Sequence, residues 1–154
     1  MVNIIFLDVD GVLNNIDTIT TTKSGWTFVD DFLVERLRTI VELTGAKVVL
    51  SSSWRYGMYS SGTDRQDYLE LVDKLREFNI QVIDVTPIFS DGDREEEIMW
   101  WLEHRWFDSG HYVILDDVNY FVDLQTNFVQ TSPEIGLTLE DVERAIKILK
   151  GEAV

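Results

Sequence analysis

The chain has 154 residues, with 13 Lys and Arg against 28 Asp and Glu, so its formal net charge is −15. That length suits one domain, and 45% hydrophobic with 12% aromatic residues excludes disorder through want of apolar material. The absence of cysteine removes disulfide frameworks, thiolate metal sites and cysteine nucleophiles together. Such acidity repels phosphate backbones and argues against sequence-independent duplex binding; its plainest account is a solvated, soluble surface.

The first residues, MVNIIFLDVD, hold an apolar run too short for a signal peptide or a membrane span. A soluble cytoplasmic protein with no membrane partner is the expectation. Ile4 to Leu7 predicts a buried strand ending at Asp8. Asn14 to Thr27, rich in Thr, Ser and Gly, reads as a loop of about a small flap's length. Asp31 to Thr44 carries Leu33, Leu37, Ile40 and Val41 on one helical face, with Gly45 as its stop. Lys47 to Leu50 is a second strand, ending in Ser51-Ser52-Ser53. Tyr56 to Thr63 is loop-like. Asp67 to Phe78 has apolar residues at helical spacing, and Ile80 to Val85 is a third strand. Asp93 and Glu96 have capping-box spacing at the start of a helix with Ile98, Trp101 and Leu102 inward. Tyr112 to Leu115 and the weaker Phe128 to Thr131 are further strands. Thr138 with Asp141 opens a last helix through Val142, Ala145, Ile146 and Leu149.

Strand and helix in alternation imply an α/β fold with a five-stranded, mainly parallel sheet covered on both faces. With no repeat and no long linker, residues 1–154 read as a single domain. In such sheets ligands bind at the carboxyl ends of the strands. Asp8 and Asp10 follow the first strand, the three serines the second, and Asp116-Asp117 the fourth. Up to four carboxylates would gather there. Two such charges about 4 Å apart repel by roughly 4 kcal/mol at an effective dielectric of about 20. The cluster therefore needs a proton or a cation, and oxygen ligands without Cys or His favour Mg²⁺.

The segment IIFLDVDGVLN resembles the first motif of the haloacid dehalogenase (HAD) superfamily, a hydrophobic strand followed by DxDGxL. VVLSSSW is similar to its second motif, a strand ending in Ser or Thr, and VILDD to its fourth. Arg94, which stands 23 residues before Asp117, suits the third motif; Arg105, at 12 residues, would lie at the far end of the helix. SSSWR, EIMWWL and TSPEIGLT look like small HAD domains found beside RNA-repair modules and in phages. One departure is Arg94 in place of the commoner lysine. Arginine keeps the charge and grips two phosphoryl oxygens.

The resemblance implies a three-layer Rossmannoid fold with a minimal cap, the flap being residues 14–27. It implies a Mg²⁺-dependent phosphohydrolase acting on a phosphate monoester, with Asp8 as nucleophile and Asp10 as acid and base. Mg²⁺ would be held by the Asp8 carboxylate, the Asp10 main-chain carbonyl and Asp117, with Asp116 acting through water or orienting its neighbour. Ser51 or Ser52 and Arg94 would hold the phosphoryl oxygens. For Arg55, the alternatives are the substrate phosphate or an acidic partner. An open site suits a small molecule less than an end-presented phosphate such as a nucleic-acid end, although the surface charge opposes nucleic acid. Trp54, Trp100, Trp101 and Trp106 read as core or rim packing, and His104 and His111 as structural.

A phospho-accepting receiver domain fits poorly, because it would carry its adjacent acids at the first strand and a late lysine. A HAD-like module that binds phosphate or nucleic-acid ends without turnover is the remaining alternative.

Overall fold

The computed structural model describes residues 1–106 and 109–152. In chain order the elements are β1 (Val2–Leu7), α1 (Asp31–Thr44), β2 (Lys47–Leu50), a 3₁₀ turn (Ser53–Met58), α2 (Thr63–Glu77), β3 (Val82–Val85), α3 (Arg94–His104), β4 (Ser109–Asp116), a short 3₁₀ turn (Gln125–Asn127), β5 (Phe128–Gln130) and α4 (Leu139–Leu149). The sheet has the order β3-β2-β1-β4-β5, and every pairing is parallel. This is the α/β architecture that the alternation predicts.

Because β1 is central, both of its faces are buried, and its continuous apolar run follows from that. Ile5 and Leu7 pack with Leu33 and Leu37 of α1, Leu71 and Leu75 of α2, and Ala145 and Leu149 of α4. Ile4 and Phe6 point the other way, into Ile98 and Trp101 of α3 with Phe121 and Phe128. Phe6 meets Trp101 edge-on, ring centres 5.5 Å apart. Three helices thus cover one face, and α3 with the segment before β5 covers the other.

Local signals set the helix ends. Asp93 accepts the Glu96 N–H at 3.2 Å, and Thr138 with Asp141 forms a reciprocal capping box. Gly45 ends α1 in the left-handed region at φ 69°. Several boundaries differ from expectation: β1 starts at Val2 rather than Ile4, and β3 at Val82 rather than Ile80. Helix α2 starts at Thr63 rather than Asp67, and the preceding segment, expected as a loop, includes a 3₁₀ turn capped by Ser52, whose Oγ accepts the Trp54 N–H. Packing of this turn against α2 extends the helix: a Cβ at Gly57 would fall 2.5 Å from that of Tyr68. Strand β4 starts at Ser109, three residues before its apolar run.

Residues 18–30 fold back as a narrow hairpin in which Thr21 bridges Thr27 and the Thr22 N–H donates to the Trp26 carbonyl at 2.8 Å. His104 stacks on Trp100, and the His111 N–H donates to Asn3; neither serves the strand-end cluster. Among the described residues, no helix is long and apolar enough to cross a membrane.

Candidate functional site

The register of the three central strands assembles the site. Leu7 of β1 stands level with Leu50 of β2 and Leu115 of β4. The ladder then continues one residue further, with the Asp8 N–H donating to Leu115 O at 2.9 Å and the Ser51 N–H to Leu7 O at 3.1 Å. Asp8, Ser51 and Asp116 therefore leave their strands side by side. Gly11 turns the chain at φ 83°, and a Cβ there would lie 2.6 Å from the Asp117 carboxyl carbon. Only glycine allows the first loop to pass this close. Thr131 ties the two loops together: its hydroxyl donates to Gly11 O at 2.7 Å, and its N–H to Asp116 O.

Oxygens of Asp8, Asp116 and Asp117 all lie within 4.8 Å of one another. The fourth carboxylate expected there, that of Asp10, stands apart. It accepts the Asn14 side-chain N–H at 2.8 Å and the Trp54 indole N–H at 3.2 Å. Arg94, the first residue of α3, reaches in from the other face. Its Nη1 lies 2.7 Å from Asp116 Oδ2 and 3.4 Å from Asp8 Oδ1, and its guanidinium covers the Tyr120 ring at 5.3 Å. Arg105, at the opposite end of α3, pairs with Asp84 instead.

Electrostatics follow from this crowding. Burial, then the neighbouring Asp116 charge, pushes the Asp8 carboxyl up to about 9 against the opposing pull of Arg94. Asp116 is also raised by its burial, with Arg94 restraining the rise. Burial works against the Arg94 charge, but Asp116 and Asp8 outweigh it and hold the guanidinium above its usual value. Three acids this close do not all ionise without a counter-charge. A small hard cation supplies one, and an all-oxygen donor set without nitrogen or sulfur fits Mg²⁺.

The serines divide their work. Ser52 Oγ caps the 3₁₀ turn through Trp54. Ser51 Oγ is the one buried side-chain polar atom without a hydrogen-bond partner among the described residues. A buried hydroxyl left unpaired is costly unless a ligand completes it.

Arg55 is corrected by the structure. Its side chain is only 2% exposed, and each of its five N–H donors meets a protein oxygen. Nε donates to Thr86 O, Nη1 to Ser51 O and Ser52 O, and Nη2 to Pro87 O and Glu97 Oε1. No donor remains for a substrate phosphate, so Arg55 takes the acidic partner and braces the serine loop. Burial draws its guanidinium below the usual value, with Glu97 opposing.

Other positioning residues escape the motif reading. Asn14 accepts the Gly11 N–H and donates to Asp10 and to Phe28 O; its place four residues after Asp10 was the only local signal. Trp54 packs as expected, tilted against Phe28, but its bond to Asp10 crosses 44 residues. Glu95 accepts the N–H groups of Val122 and Leu124, shaping the loop that carries Tyr120.

No curated protein and no solved structure matches the chain. The family model described as the HAD domain in Swiss Army Knife RNA repair proteins matches residues 4–142, a span that runs from within β1 through β5 and holds the carboxylate cluster and Arg94. The match runs over nearly the whole chain, and the chain belongs to that family of HAD domains.

Proposed function

We propose that this domain hydrolyses phosphate monoesters with Mg²⁺ through an aspartyl-phosphate on Asp8. One observation carries the reading: the Asp8 carboxylate is buried between Asp116, Asp117 and Arg94, abreast of a serine hydroxyl with no protein partner. Asp8, Asp117 and the Asp10 main-chain carbonyl would hold the metal, with Asp116 orienting Arg94. When bound, the cation neutralises the acids and the phosphoryl charge.

In the first step an Asp8 oxygen forms a bond to phosphorus as the ester P–O bond breaks. The departing oxygen takes a proton from Asp10. In the second step water attacks the same phosphorus, gives its proton to Asp10, and the bond to Asp8 breaks to release inorganic phosphate. One difficult displacement becomes two easier ones. Ser51 and Arg94 donate to the phosphoryl oxygens, where charge gathers in both transition states.

The test is an assay over a panel of monoesters that includes an aryl phosphate and oligonucleotide 5′- and 3′-phosphates, with Mg²⁺ or with excess EDTA. Mg²⁺-dependent release of phosphate is expected, and Asp8→Asn, nearly isosteric but not nucleophilic, should abolish it while the fold persists. Full activity in EDTA would remove the metal from the account. A wild-type rate in Asp8→Asn would assign the attack to another residue. Binding of beryllofluoride with no hydrolysis anywhere on the panel would make the domain a binding module.

A further inference from the structure

A cavity of about 400 Å³ lies between the 18–30 hairpin, the 3₁₀ turn and the start of α2. Trp54 forms one wall, and the N–H of the same indole is bonded to Asp10. The acid that would protonate the departing oxygen is thus one ring away from an open chamber. Trp26 and Tyr56 also line it, 63% and 45% exposed. Its rim carries the carboxylates of Asp64 and Asp67, and no lysine or arginine contributes to the lining. Ser24 at the hairpin tip donates to both Asp67 oxygens, at 2.8 and 3.0 Å. That contact ties the hairpin that carries Trp26 to α2.

We propose that this cavity receives the leaving group of the substrate, and that the leaving group is a nucleoside carrying a single phosphate. The inference rests on the phosphatase reading above. Its chemistry comes from the lining. Aromatic faces accept a planar ring by stacking, and carboxylates accept hydroxyl and amino donors. The same carboxylates, without a basic partner, repel a second phosphate, so a free mononucleotide fits better than the end of a nucleic-acid chain. The volume lies within the usual range for small-molecule sites.

The experiment compares kcat/KM for nucleoside 5′- and 3′-monophosphates, ethyl phosphate, nucleoside 3′,5′-bisphosphates and terminally phosphorylated dinucleotides. Mononucleotides should exceed ethyl phosphate by about tenfold or more, the scale of one good stacking contact. Trp26→Ala should remove that preference and Trp26→Phe retain most of it, while bisphosphates and dinucleotides lag behind mononucleotides. Asp64→Lys, which leaves the Ser24 contact in place, should narrow that lag. Equal rates for ethyl phosphate and mononucleotides, or a preference indifferent to Trp26→Ala, would overturn the proposal. Dinucleotides as the fastest substrates would overturn it too, in favour of a groove that follows a chain end. Should no monoester turn over, the phosphatase reading falls, and a fluorescence titration of Asp8→Asn with an unphosphorylated nucleoside judges the cavity alone. Saturable quenching that disappears in Asp8→Asn with Trp26→Ala would support the nucleoside site, and no quenching would overturn it.

Discussion

Asp10 and Ser51 lie in opposite hydrogen-bonding states, the first with two donors on its carboxylate and the second with none on its hydroxyl. The Asp10 carboxylate is held by Asn14 and Trp54, away from the Asp8, Asp116 and Asp117 cluster. Its side chain therefore stands outside the proposed metal set, which takes only the Asp10 main-chain carbonyl. Asp10→Asn preserves size and the main-chain carbonyl, so it should still bind Mg²⁺ and beryllofluoride. On an ester with a poor leaving group it should turn over at least about 10²-fold slower, the usual scale of general acid–base assistance. An unchanged rate would refute that role. Ser51 has the reverse signature, a buried hydroxyl with nothing to bond. Such a group costs on the order of 1–3 kcal/mol while unpaired. Ser51→Ala should be at least as stable as wild type in urea, yet slower by on the order of 10²-fold, as when an oxyanion donor is lost.

At the scale of elements, the site depends on how α3 is fastened. Its first residue is Arg94, and two of the three acids that follow, Glu95 and Glu97, are buried anchors. Glu95 holds the loop of Val122 and Leu124. Glu97 takes the Phe89 N–H at 2.8 Å and the Arg55 guanidinium at 2.8 Å. Arg55 in turn grips the carbonyls of Ser51 and Ser52, so β2 and α3 share one buried brace. Removing one partner of such a pair strands a charge and costs about 3–5 kcal/mol. Glu97→Ala should lose that much in urea unfolding and slow turnover by loosening Arg94. By contrast, Arg38, partly exposed between Glu35 and Glu42, makes an ordinary surface pairing. Arg38→Ala should change stability far less than Glu97→Ala, because solvent screens an exposed pair. Equal losses from the two substitutions would show that the brace carries no special weight.

For the whole molecule, the acid cluster couples stability to pH and, if the proposed Mg²⁺ site holds, to metal. The Asp8 carboxyl sits at about 9 in the folded protein against an ordinary value of 3.8. Between those values the folded state binds the extra proton, so this group's contribution to stability falls as pH rises from about 4 to 9. A bound cation replaces the proton and removes the repulsion. Melting curves in EDTA and in Mg²⁺ should therefore diverge with pH, Mg²⁺ raising Tm more at pH 8 than at pH 5.5. A Mg²⁺ effect that is equal at both values would show that cation and proton do not compete for the cluster.

Sequence by itself determined the parts whose physics is local. Ile4 to Leu7, apolar on both parities, had to be a strand buried on both faces, and Asp8-Val9-Asp10-Gly11 had to be its end. The capping pairs Asp93 with Glu96 and Thr138 with Asp141 lie within one turn and mark their helices directly. The alternation of such elements gave the parallel sheet, and the motifs at the strand ends gave the HAD family. Tertiary structure alone decided which partner each polar group found. Ser51 and Ser52 are neighbours of the same type, and only the 3₁₀ turn, by claiming Ser52, leaves Ser51 unpaired. Arg55 could have faced the phosphate or an acid until α3 packed Glu97 against it, 42 residues away. The resemblance gave Asp10 its role as acid and base, but only the fold places Asn14 and Trp54 on its carboxylate, apart from the other three acids. A sequence states the valence of each side chain, but the direction in which it is spent depends on strand register and helix packing, which exist only once distant segments meet.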